Sequence, residues 1–124
     1  MNNHLEIGRK GEDLAVKYLA KRGLKVLARN YRTKYGEIDI ICLDRKVVVF
    51  VEVRSRSSAA FMTPDESVGP DKRRRLTKAA LSFLADKRWQ DHSARFDVLA
   101  VTFSGSQPEI DHVIDAFDLA HNRA

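Results

Sequence analysis

The stretch that decides the fold is G-E-I-D-I-I-C-L-D-R-K-V-V-V-F-V-E-V-R-S-R, residues 36–56. It reads as two strands joined by a tight turn. Gly36 to Leu43 alternates, Val47 to Val53 is dense in β-branched residues, and Asp44-Arg45-Lys46 is the only polar break between them. Period-two geometry sends Val47, Val49, Val51 and Val53 to one face of the second strand, and Val48, Phe50, Glu52 and Arg54 to the other. A strand apolar on both faces belongs at the centre of a sheet covered on both sides. Glu52 and Arg54 are then charges on a buried face, which is costly without partners. On the first strand Asp39 interrupts Ile38, Ile40 and Ile41. A turn with an even number of residues brings Asp39 to the face of Glu52, opposite it or on its diagonal. Two carboxylates that close repel each other unless a cation or a shared proton lies between them. A divalent metal satisfies the pair.

Upstream, residues 4–22 read as a helix that ends at Gly23 after the basic pair Lys21-Arg22. Leu5, Gly8, Ala15, Val16 and Leu19 fall on one side of it, and Glu12 lies within that stripe. Glu12 is either a rim carboxylate in a salt bridge or part of a site. Gly8 and Gly11 flank it at a cost in helix propensity of about 1 kcal/mol each, which suits the close approach of a neighbouring strand. Leu24 to Tyr31 reads as a strand, and Arg29 to Tyr35 as a basic, aromatic connection to Gly36.

Downstream, Ser55 to Gly69, with Phe61 and Met62, reads as a long loop; loops of that length are often functional. Pro70-Asp71 opens a second helix running to about Arg88, with Leu76, Ala79, Ala80, Phe83 and Leu84 as its apolar face. Lys72 lies one turn before Leu76 on the same side, and Trp89 is expected to pack at the helix end. Arg95 to Phe103 is a further strand apolar on both faces, in which Asp97 reads as a hydrogen-bonding residue. Glu109 to Val113 is a weak edge strand, followed by a short segment with Phe117 and Leu119. The expected order is α-β-β-β-α-β with a weak last strand, an α/β fold with a central mixed sheet flanked by helices.

At 124 residues the chain is expected to form one domain, residues 1–124, with an ordinary globular composition of 44% hydrophobic and 31% charged residues. Lys and Arg outnumber Asp and Glu by 22 to 17, for a net charge of +5, which suits a polyanionic partner. Candidate contacts to such a partner are Arg56, which continues the parity of Glu52 and Arg54, the run Lys72-Arg73-Arg74-Arg75 with Lys78, and Arg32 and Lys34 among aromatic neighbours. The single Cys42 allows no internal disulfide and is expected to be a small buried hydrophobe. No signal peptide or membrane-spanning run is visible, so a cytoplasmic protein is expected. His4, His92, His112 and His121 lack metal-ligand spacing, which argues against zinc. Glycine-rich nucleotide loops and the nucleophile-elbow motif are absent.

Glu12, Asp39 and Glu52 together are hard oxygen ligands of the type that suits Mg²⁺ or Mn²⁺. G-E-I-D-I-I at 36–41 followed by F-V-E-V-R at 50–54 resembles the PD-(D/E)-x-K nuclease signature. The ordered set G-x-x-G-E from Gly8 to Glu12, G-E-I-D from Gly36, F-V-E-V-R from Phe50, Lys72 and R-F-D-V from Arg95 resembles, more closely, the YraN-type family of small predicted endonucleases. That family is similar to archaeal Holliday-junction resolvases and type II restriction endonucleases. The resemblance covers nearly the whole chain. It implies a restriction-endonuclease-like αβββαβ core and metal-dependent hydrolysis of DNA, structured or branched, leaving 5′-phosphates. It further implies Asp39 and Glu52 as metal ligands, Glu12 as an additional acid, and Arg54 in the place of the usual lysine. Arginine stays protonated and cannot act as a base, though it can orient a phosphate and stabilise developing charge. Lys72 is a candidate to supply the missing amine. The alternative is a nucleic-acid-binding or adaptor subunit on a nuclease fold without turnover, and a third reading is a purely structural acid cluster. Cutting a two-fold symmetric junction would favour a homodimer.

Overall fold

The computed structural model describes residues 4–58 and 62–118. Helix α1 (His4–Lys21) is followed by strands β1 (Lys25–Thr33), β2 (Gly36–Asp44) and β3 (Val47–Arg56). A 3₁₀ turn at Asp65–Ser67 leads into helix α2 (Pro70–Lys87), and strands β4 (Ala94–Thr102) and β5 (Glu109–Phe117) complete the chain. The five strands form one sheet in sequential order, β1-β2-β3-β4-β5. All neighbours are antiparallel except β3 and β4, which are parallel. A parallel pair cannot be joined by a tight turn, and the intervening crossover carries α2. The result is the mixed, helix-flanked sheet of the restriction-endonuclease-like αβββαβ arrangement.

The β2–β3 turn is shorter than the polar break suggested. Asp44 pairs with Val47, leaving only Arg45 and Lys46 in the turn. Arg45 takes a left-handed φ of 58° to close it. An even turn fixes the register, with Ile41 opposite Phe50 and Ile40 opposite Val51. Strand β3 is central and splits as its alternation requires. Val48 and Phe50 pack with Leu76, Ala79, Ala80 and Phe83 of α2. Val49 and Val51, flanked by Val47 and Val53, pack with Ala15 and Leu19 of α1. Each helix therefore covers one face of the sheet. Cys42 is buried in the α1-side core, and burial pushes its thiol up to about 12, so it behaves as an apolar side chain.

Several boundaries move. Strand β1 continues through Arg29–Thr33, so the expected basic connection shrinks to Lys34-Tyr35. Strand β3 continues through Ser55 and Arg56, shortening the long loop at its start. Residues 59–61, including Phe61, lie outside the described residues, as do Leu119 and His121. The expected weak last strand is a nine-residue strand that includes Phe117, whose ring stacks on Phe96 at 4.8 Å. Trp89 packs edge-on against Phe83 at the end of α2. In α1, Leu5 is 71% exposed, so the apolar stripe starts later than the sequence suggests. Among the described residues nothing lies within 4 Å of a Cβ built at Gly8. Gly11 does permit close approach: a Cβ there would overlap Cβ and Oγ of Ser55 on β3.

Candidate active site

One ladder step beyond the Ile40–Val51 pair, Asp39 comes opposite Glu52. The Val53 N–H donates to Asp39 Oδ2 at 2.8 Å, which pins the carboxylate across the two strands. Glu52 is 4% exposed, and its two oxygens have different surroundings. Lys72 Nζ of α2 reaches Oε2 at 2.8 Å, and Arg54 Nη1 lies 3.4 Å from the same oxygen. Among the described residues Oε1 is buried with no hydrogen-bond partner. Burial first, and the charge of Glu52 second, push the Asp39 carboxyl up to about 7, against the opposing pull of the Val53 N–H and Lys72. A buried acceptor left unsatisfied beside a second carboxylate costs on the order of 1–3 kcal/mol or more. Either a proton or a cation between the two acids removes that cost. The donor chemistry, the Asp39 carboxylate on the cleft with the buried Glu52 carboxylate beside it, fits a hard divalent cation, which needs only one or two protein carboxylates because it keeps several waters.

The cleft that Asp39 lines has a volume of about 1000 Å³ and opens between the start of α1, the ends of β1 to β3 and the 3₁₀ turn. Glu12 lines it too, but its carboxylate is already held. Arg29 donates to Oε1 through Nε at 3.0 Å and Nη2 at 2.8 Å, and Asn30 Nδ2 donates to Oε2 at 3.0 Å. Arg29 also donates to Asp13. Among the described residues no three His, Cys, Asp or Glu side chains come together as a metal-holding group. The structure thus brings Asp39 and Glu52 together and leaves Glu12 in a separate ion-paired cluster on the cleft wall.

Arg54 points along its own strand to Glu52, and its Nη2 donates to the Ser67 carbonyl at 3.2 Å, tying β3 to the 3₁₀ turn. Arg56 lies on the same cleft and donates to Thr102 Oγ1 at 3.0 Å. Lys72 reaches the site as its place on α2 suggested. Its neighbour Arg73 does not face outward. It donates to the carbonyls of Val68 and Asp65 and sits 4.6 Å from the Phe117 ring centroid, so its charge fastens the turn to α2 and β5.

A family model described as "Uncharacterised protein family UPF0102" matches residues 11–101. The chain belongs to the UPF0102 family. A UPF0102 protein of Geobacter metallireducens is 49% identical over 115 residues, which cover 93% of this chain and 94% of that one. One from Anaeromyxobacter dehalogenans is 48% identical over 112 residues, covering 90% and 84% of the two chains. One from Geotalea daltonii is 47% identical over 121 residues, covering 97% and 95%. The UPF0102 match runs from Gly11 through most of β4 and so takes in the acids of the cleft together with Arg54 and Lys72.

The other basic residues expected to meet a polyanion in this UPF0102 chain are divided, and of these Arg32 lines the cleft. Arg74 pairs with Asp71 on the exposed side of α2. Arg75 is exposed, with its stem beside Gly36. Arg32, whose side chain is 85% exposed, lies 3.3 Å from Glu37 and lines the cleft. Lys34 and Lys78 lie farther out, over the Tyr35 ring. Among the described residues no helix is long and apolar enough to cross a membrane.

Sequence reasoning missed the partners. Arg29, Asn30 and the Ser67 carbonyl could not be assigned because they come from elements whose docking the sequence does not specify. Arg29 carried one signal, a charge on the strand position after Ala28. Asp97 is the hydrogen-bonding residue expected. Wholly buried, it accepts from Arg95 and from the Asp115 N–H at a register shift between β4 and β5. His112 Nε2 lies 2.8 Å away. Burial alone would raise the Asp97 carboxyl, but the bonds from His112, Arg95 and the Asp115 N–H outweigh it and hold the group below its ordinary value.

Proposed function

We propose that the cleft is the active site of a metal-dependent endonuclease that hydrolyses phosphodiester bonds of DNA, structured or branched. The observation that carries this reading is Asp39 set opposite the unpartnered Glu52 Oε1, in a cleft bordered by Arg54, Arg56 and Arg32. Asp39 and Glu52 would hold Mg²⁺ or Mn²⁺. When bound, such an ion supplies polarisation of the phosphate and a bound water of lowered pKa. Lys72 keeps Oε2 of Glu52 neutralised, leaving Oε1 free to act as a ligand. Arg54 and Arg56 orient the phosphate and offset the charge that develops on its oxygens. Arg54 cannot take a proton from water, and Lys72 stands as an ammonium 2.8 Å from Glu52 Oε2. By the family resemblance the departing group is the 3′ oxygen and the product carries a 5′-phosphate. A homodimer would present two such clefts to a two-fold junction.

A second reading, an adaptor that binds nucleic acid without turnover, draws on Arg54, whose guanidinium is committed to Glu52 and Ser67. The test is a labelled panel of duplex, flap, four-way junction and single strand, with wild type, Asp39→Ala and Lys72→Met, in EDTA, Mg²⁺ or Mn²⁺. Metal-dependent cutting that disappears in Asp39→Ala, with binding retained, is expected. Lys72→Met should cut more slowly by roughly tenfold or more, because Glu52 then lacks the cation that neutralises its Oε2. Undiminished cutting by Asp39→Ala would refute the assignment, and tight, salt-steep binding with no cutting would establish the adaptor.

A further inference from the structure

A second concavity, about 770 Å³, lies between the β1–β2 turn and the outer side of α2. It is lined by Tyr31, Arg32, Lys34, Tyr35, Lys78 and Leu81 among others. Arg32 lines this groove and the active-site cleft alike, so it stands at the border between them. The groove has an exposed aromatic ring, which the lining of the cleft does not. Tyr35 and Leu81 are large exposed side chains, 37% and 54% accessible. Lys34 Nζ and Lys78 Nζ lie 5.3 and 5.7 Å from the Tyr35 ring centroid, brought there from the turn and from α2 respectively. Neither ammonium makes an ion pair among the described residues, whereas Arg29, Arg32, Arg74 and Arg95 all do. The one acid of the groove, Asp86, already accepts from the Tyr31 hydroxyl at 2.9 Å. The Tyr35 backbone is fixed by its N–H donating to Thr33 Oγ1 at 3.0 Å, so the ring stands on a defined turn.

Two such cations at an exposed aromatic ring match the chemistry of a nucleotide whose base is out of the stack. A phosphate draws the ammoniums to itself, and the ring face they leave can stack a base. Duplex nucleic acid does not offer a base face, so only an unpaired strand can use Tyr35 in this way. We infer that this groove seats an unpaired polynucleotide strand, with Tyr35 as the stacking platform and Lys34, Lys78 and Arg32 on its phosphates. The inference takes its partner class from the proposed function and deepens it. A strand entering the cleft continues, past Arg32, as a single-stranded arm, so the preferred substrate has an unpaired segment beside the scissile bond.

The experiment is anisotropy of fluorescent oligo-dT, oligo-U and a blunt duplex of equal length, titrated with the full chain in EDTA over a salt series. Tyr35→Ala should weaken single-strand binding roughly tenfold while leaving duplex binding and the salt slope unchanged, and Tyr35→Phe should bind as wild type. The double variant Lys34→Gln/Lys78→Gln should flatten the slope of log K against log salt by about 1.4. Tyr35-dependent binding of either oligomer supports the groove. Equal single-strand affinity for wild type and Tyr35→Ala overturns it, as does an equal loss for duplex and single strand. Because cleavage plays no part in EDTA, Tyr35-dependent binding by a protein that never cuts would refute only the nuclease reading. Cutting without any Tyr35 dependence of binding would refute only the groove.

Discussion

Replacing Asp39 by asparagine should make the metal-free protein more stable above neutral pH, although it removes a proposed ligand. The Asp39 carboxyl is raised to about 7 from an ordinary value of 3.8. Between those two values the unfolded chain releases this proton and the folded chain keeps it. Stability contributed by the group is therefore fully present below the unfolded value and is lost as pH rises through the folded one. Every tenfold change in proton affinity is worth about 1.4 kcal/mol. The span corresponds to roughly 4 kcal/mol, and about 2–4 kcal/mol is expected once water entering the cleft is allowed for. An asparagine side chain in this place could still accept the Val53 N–H through its carbonyl oxygen, and its amide could donate to the orphaned Oε1 of Glu52. The assay is urea unfolding of wild type and Asp39→Asn in EDTA from pH 4 to 9. The wild-type free energy should decline across pH 4–7 and then level, while the variant stays flat through that window and exceeds wild type at pH 8. A wild-type profile flat from pH 4 to 8, or a variant that declines in parallel with it, would refute the placement of the charge pair. Adding Mg²⁺ should raise the wild-type melting temperature, since a cation that binds only the folded state stabilises it, and should not raise that of Asp39→Asn.

Two further outcomes probe the scaffold. Gly11→Ala should cost about 1–3 kcal/mol by overpacking against Ser55, and Ser55→Gly should restore most of the loss; denaturation midpoints of the single and double variants measure the coupling. Asp97→Asn should weaken the join between β4 and β5. Because the Asp97 carboxyl is held below its ordinary value, its contribution is present at neutral pH and lost as pH falls through the folded value. The deficit of the variant should therefore shrink on acidification, which acid-unfolding curves would show.

The order of elements and the central place of β3 were legible because short-range alternation carries them: four valines on one face leave little choice about burial. The Asp39–Glu52 juxtaposition was legible for the same reason, once the turn between their strands was even. Lys72 could be anticipated because helical spacing puts it in line with Leu76. Glu12 shows where this kind of reading ends. Its place within the apolar stripe was visible, but what held it depended on how β1 docks beside α1, and Arg29 and Asn30 hold it. Likewise a run of four basic residues reads as uniform in sequence, while tertiary packing divides it. Lys72 turns to Glu52, Arg73 to the 3₁₀ turn, Arg74 to Asp71, and Arg75 stays exposed.

The two-residue turn at Arg45-Lys46 sets how insertions and deletions act on this protein. The spacing of the two acids is a property of one hairpin ladder and owes nothing to the docking of either helix. One residue added at that turn would slip the register and send Asp39 to the opposite face from Glu52, ending the site with little change in composition. Residues gained or lost between Ser57 and Thr63 would leave the acids in place, because that segment lies outside their hairpin. Lys34-Tyr35 is also a two-residue turn, between the paired Thr33 and Gly36, and an added residue there would slip β1 against β2 and move the groove without moving the acid pair. The spacing of the acids therefore stays fixed through length changes outside their own hairpin turn, and variation in what is bound can accumulate there without loss of the pair.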